Sequence, residues 1–83
     1  MKLTIDILGW IGSVEVILAY GLISNGKLDS QSVTYQLLNL TGAILLIINT
    51  IFYGAYPSTF INIVWVGIAV VALAKAWRNR PPD

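Results

Sequence analysis

The chain has 83 residues, room for one small domain, and 57% of them are hydrophobic while only 11% are charged, against about 45–50% and 25% in an ordinary soluble domain. Five basic and four acidic residues cannot coat the surface of a water-soluble fold this small, so the surrounding solvent is mostly lipid. The absence of histidine and cysteine and a net charge of +1 exclude imidazole and thiolate metal sites, disulfides, His- or Cys-dependent catalysis and a basic field for nucleic acid.

A bilayer core of about 30 Å asks for about 20 helical residues, and three such spans fit between the turn signals. The first runs over about 7–24 and ends at Asn25-Gly26-Lys27-Leu28-Asp29, a short exposed turn. Lys2 before an apolar run raises the alternative of a signal peptide, but Asp6, Glu15 and the lack of an A-x-A site argue against cleavage. The second span, about 32–53, starts after Asp29-Ser30-Gln31-Ser32, where Ser30 or Ser32 can cap the free N–H groups of a helix. It ends at Gly54, suited to a C-terminal cap, before Pro57, suited to the first turn of the next helix. The third span, about 58–77, is stopped by a polar tail over 78–83, expected to be disordered.

Lys27, Lys75, Arg78 and Arg80 fall on one side of a three-span chain and Lys2 on the other, which predicts the N-terminus outside and the C-terminus in the cytoplasm. Lys75, near the end of the third span, can snorkel beside Trp77.

Polar side chains at membrane depth must face protein or a water-filled cavity. In the second span Tyr35, Asn39, Gly42, Leu46, Asn49 and Tyr53 recur at spacings of 4, 3, 4, 3 and 4, which predicts one stripe. Asn39 and Asn49 then serve either as interhelical glue around a close contact at Gly42 or as the lining of a polar path. Ser58, Asn62, Trp65, Ala69, Ala72 and Ala76 make a matching stripe on the third span. There the alanines favour packing, and Asn62 with Trp65 pairs an amide with an indole face, which suits either a sugar or similar polar ring or an interface-belt Trp beside an interhelical Asn. The first span carries Glu15 near mid-membrane, on a stripe with Leu8, Gly12, Ala19 and Leu22. A carboxylate there costs about 2.5–3.5 kcal/mol on insertion scales. It is expected either to hydrogen-bond an Asn or Tyr of another helix or to face a hydrated cavity and exchange protons. Gly9, Gly12 and Ser13 mark close helix packing. Three helices cannot enclose a path while hiding three polar stripes, whereas a two-fold pair can. The expected architecture is an all-α integral membrane protein, a three-helix bundle forming a homodimer.

The length, the three spans, a Tyr near the start of the second span, and Gly42, Pro57 and Asn62 in order resemble the SemiSWEET half-transporters of the MtN3/saliva and PQ-loop group. The pattern G-W-I-G at Gly9, L-A-Y at Leu18, Y-Q-L-L-N-L-x-G at Tyr35, and Y-P-S with N-x-x-W at Tyr56 is closer still to a group of short, uncharacterised bacterial membrane proteins. The resemblance covers about residues 7–77. It implies a triple-helix bundle that dimerises in parallel round a sugar path, alternating access, and the bacterial inner membrane. It also implies that Asn62 stands where the family's third-helix asparagine contacts sugar. Two positions depart from the family: its first-helix Pro-Gln pair is Ala19-Tyr20 here, and its second-helix tryptophan is Leu46, with Trp65 available as a replacement platform.

The function expected is a non-enzymatic transporter or facilitator that moves a small polar solute through the centre of the homodimer, without metal or cofactor. Asn62, Trp65, Asn49, Asn39 and Tyr53 are the expected solute-binding residues and Glu15 the proton-coupling one. The alternative is a membrane scaffold or partner subunit whose polar residues only hold helices together. The expected partners are a second copy, membrane lipid and the solute, and no nucleic acid.

Overall fold

Helix α1 spans Lys2–Ser24, α2 Val33–Phe52 and α3 Tyr56–Arg78, in a computed structural model that describes residues 1–29 and 32–79. Each helix is long and apolar enough to cross a membrane. The bundle measures 43 × 22 × 21 Å, longer than the roughly 30 Å hydrocarbon layer it must traverse.

Local chemistry sets the ends. Both α1 and α2 finish in a Schellman motif with glycine in the left-handed region, Gly26 at φ +72° and Gly54 at φ +70°. Gly26 N donates to Ile23 O and Lys27 N to Leu22 O; Gly54 N donates to Ile51 O and Ala55 N to Thr50 O. Only glycine enters this conformation without cost, so the two glycines satisfy carbonyls that would otherwise be stranded at the helix ends. At the start of α2 Ser32 is the cap, its hydroxyl accepting from Tyr35 N at 3.0 Å; Ser30 lies outside the described residues. Pro57 sits in the first turn of α3, where no intrahelical N–H is lost. The first helix begins at Lys2, earlier than the apolar run starting at Ile7. Met1 O already accepts from Ile5 N and Ile5 is buried, so the first turn packs although its hydropathy is low. The tail expected over 78–83 is in part helical, since Arg78 is the last residue of α3 and Asn79 its cap; residues 80–83 lie outside the described residues.

Helix α2 packs against both neighbours, and among the described residues α1 and α3 do not meet. The nearly equal widths of 22 and 21 Å mean that the three axes form a V rather than a flat row, with α2 at its apex. The helix wheel agrees, because the residue of α2 bonded to α1 (Asn49) and those bonded to α3 (Asn39, Thr50) lie about 80–100° apart at 3.6 residues per turn.

A water-soluble core is lacking: no large side chain is fully buried among the described residues, and the buried apolar positions are Ile5, Ala19, Ala43, Ala69 and Ala76. Leu3, Ile7, Ile17, Phe60, Ile61 and Ile68 are all exposed. In lipid such exposure costs nothing, and helices associate instead through close backbone approach and interhelical hydrogen bonds. The protein is built on those two terms.

Candidate functional site

The seam between α1 and α2 is set by three glycines. Gly9, Gly12 and Gly42 are buried, and a Cβ on Gly12 would stand 2.8 Å from Gly42 O. One turn toward the N-terminus of α1, a Cβ on Gly9 would meet the Asn49 amide, its Cγ only 2.7 Å away. The space that Gly9 leaves admits this amide, whose Nδ2 donates to Ile5 O at 3.0 Å. Farther along, the Tyr53 hydroxyl donates to the Asp6 carboxylate. Tyr53 caps α2 just beyond its last turn.

These contacts frame a pocket of about 290 Å³ lined by Asp6, Gly9, Trp10, Ser13, Leu46, Asn49 and Tyr53. The Ser13 hydroxyl donates to Gly9 O at 2.9 Å. Of the five expected solute-binding residues, the pocket gathers Asn49 and Tyr53.

Asn39 and Trp65 meet elsewhere, on the seam between α2 and α3, where Trp65 Nε1 donates to Asn39 Oδ1 at 2.8 Å. Asn39 is only 7% exposed. The single stripe expected on α2 is therefore divided: Asn49 and Tyr53 serve α1 and Asn39 serves α3. Asn39 and Asn49 are ten residues apart, which turns them about 80° from one another at 100° per residue, enough to reach different neighbours. A second α2–α3 link runs from the Thr59 hydroxyl to Thr50 Oγ1 at 2.7 Å, with Thr50 in turn donating to Ile47 O at 3.2 Å. Thr59 takes the buried position that the expected stripe gave to Ser58, which is exposed. Asn62 is half-buried and donates at 2.9 Å to Ser58 O of its own helix.

Glu15 is half-buried on the α1–α2 seam. Its partner is neither an asparagine nor a tyrosine: Thr41 of α2 donates to Glu15 Oε2 at 2.7 Å. The same hydroxyl lies 2.8 Å from Leu37 O. With one proton, Thr41 can serve one acceptor at a time. The Glu15 carboxyl oxygen and Leu37 O therefore compete for the one Thr41 hydrogen. Glu15 does not line the pocket. Glu15 and Ser13 are about 160° apart round α1, on opposite flanks of the buried line of Gly9, Gly12 and Ala19.

Residues 5–80, a stretch reaching into all three helices, match an uncharacterised protein family. The chain belongs to that family. No curated protein and no solved structure matches it.

Four side chains of the site are additional to the expected set: Asp6, Trp10 and Ser13 in the pocket and Thr41 beside Glu15. The spacing of 4 and 3 among Asp6, Trp10 and Ser13 is a helical stripe legible in the sequence. That α2 brings Tyr53 and Asn49 to it depends on the glycine crossing, which no pattern within one helix reveals.

Proposed function

We propose that the chain is a small membrane transporter or facilitator that moves a small polar solute through the centre of a parallel homodimer. The observation that carries this reading is Asn62. The amides of Asn39 and Asn49 are engaged between helices, which is reason enough for an asparagine in a membrane. The Asn62 amide donates only within α3, and its oxygen has no partner among the described residues. A polar group left over in an apolar span calls for a polar neighbour that one protomer does not provide. A second copy set across the open side of the V, together with the solute, supplies one.

In this reading Asn62, Trp65, Asn49, Asn39 and Tyr53 border the solute route, and Glu15 is the proton-coupling residue. Glu15 stands on the other flank of α1, so coupling runs through displacement of α1 against α2 at the Gly12–Gly42 contact rather than through direct contact of proton and solute. The resemblance to the SemiSWEET group supports the parallel dimer and alternating access, and makes sugars the first solutes to try. The resemblance supports the bacterial inner membrane as the setting, and the charge distribution supports an N-terminus outside and a C-terminus in the cytoplasm.

A second reading has its own observation. The Asn39–Trp65 and Asn49–Ile5 bonds are what a membrane scaffold or partner subunit uses to hold three helices together. Uptake into proteoliposomes separates the two: saturable, protein-dependent entry of a small polar solute supports transport, and no entry of any solute at any pH favours the scaffold.

A further inference from the structure

The pocket between α1 and α2 has a chemistry of its own. Its two hydroxyl protons are spent inside the protein, Ser13 donating to Gly9 O and Tyr53 to Asp6, and the Asn49 amide donates one N–H to Ile5 O. What these groups leave for a ligand is mostly acceptors: the remaining lone pairs of the Asp6 carboxylate, the Ser13 oxygen and the Asn49 amide oxygen. Trp10, one turn after Asp6 and on the same face of α1, adds an indole that is 74% exposed.

The charge points the same way. Asp6 is half-buried near the N-terminal end of α1. Its partner here, the Tyr53 hydroxyl, is neutral, and no ion pair joins Asp6 to Lys2 one turn earlier or to any other described residue. A pocket of about 290 Å³ with a carboxylate, oxygen acceptors and an aromatic ring suits a cation that carries hydrogen-bond donors. A protonated primary amine fits: it brings one positive charge and three N–H groups, and its charge is attracted to the indole face.

We infer that this pocket is a binding site for a small primary ammonium, held by the Asp6 carboxylate and Trp10 with Ser13 and Asn49 as further acceptors. The inference deepens the transport reading, on which it rests for the route of the bound amine, but binding is measurable without flux.

The test is titration calorimetry of the full-length protein in lipid nanodiscs at neutral pH, with ethanolamine as the ammonium and ethylene glycol as its uncharged counterpart of similar size. Saturable ethanolamine binding, at least about tenfold tighter than any glycol binding, is expected, because a hydrogen bond to a charged group is worth that much or more. Asp6→Asn, which keeps an acceptor for Tyr53 but removes the charge, is expected to weaken ethanolamine by about tenfold or more. Trp10→Leu, at an exposed position that the fold does not depend on, is expected to weaken it by about threefold; it keeps the test open should Asp6→Asn fail to fold. No saturable ethanolamine binding, equal binding of the glycol, or wild-type affinity in both variants would overturn the site. Ethanolamine binding without uptake of any solute keeps the site and removes transport. Sugar uptake without ethanolamine binding does the reverse.

Discussion

A Cβ built on Gly12 would stand 2.8 Å from the Gly42 carbonyl oxygen, and one built on Gly42 would stand 3.0 Å from the Gly12 carbonyl oxygen. The two backbones touch, and neither carbonyl can move aside as a side chain can. Gly42→Ala must therefore push α1 and α2 apart, at about 1–3 kcal/mol. Gly67 is the control, since a Cβ there meets nothing within 4 Å, and alanine in an open helix position gains about 0.5–1 kcal/mol. Equilibrium unfolding in detergent should show Gly42→Ala clearly destabilised and Gly67→Ala unchanged or slightly stabilised. Equal effects would mean that the glycine crossing does not hold the seam.

The bond from Trp65 to Asn39 predicts a coupling between the two residues. Trp65→Phe removes the N–H donor and leaves a nearly buried amide oxygen unpaired; Asn39→Leu leaves the indole N–H unpaired. A double-mutant cycle should return a coupling of about 0.6–2 kcal/mol, the range for polar contacts between helices in a membrane. Additive single effects would show that Asn39 and Trp65 act independently and free both for the solute.

Much of this arrangement is legible along the chain. The three spans, the caps at Ser32 and Gly54 and the close approach at Gly42 all follow from local rules, because hydropathy and capping depend on residues a few positions apart. The V is not legible. One stripe on α2 predicts one partner face, but a helix between two neighbours needs two, and spacings of 3 and 4 drift round the helix until Asn39 and Asn49 turn to different sides. Glu15 shows the same limit. Its need for a polar partner can be read from its depth in the span, whereas the choice of Thr41 over an asparagine or tyrosine depends on how α1 and α2 cross. Asp6 is not legible as a site residue for another reason: near the end of a span a carboxylate is ordinary, and only its place beside Tyr53, Trp10 and Asn49 makes it part of a pocket.

Asn62 has no interhelical bond, so its loss costs little in folding. Asn62→Ala should leave unfolding within about 0.5 kcal/mol of wild type while lowering solute uptake at least tenfold. Joint loss of the detergent-resistant dimer and of flux would make Asn62 a structural residue instead.

Glu15→Gln keeps a hydrogen-bonding partner for Thr41 but can no longer exchange a proton. Uptake by the wild type should respond to an imposed proton gradient, and uptake by Glu15→Gln should be the same with and without the gradient. A variant that keeps the wild-type response would reduce Glu15 to a side chain that binds Thr41 across the seam.

Transport itself is tested most directly by counterflow, which needs no energy source. Proteoliposomes are loaded with unlabelled solute and diluted into a trace of the same solute carrying label, across a panel of sugars, amino acids and small amines at several pH values. For at least one solute the account predicts label entering loaded vesicles faster and to a higher transient level than empty ones, only when the protein is present, and with Asn62→Ala strongly impaired. Label entry equal to that of protein-free vesicles for every solute and every pH would contradict it and leave the protein a membrane scaffold.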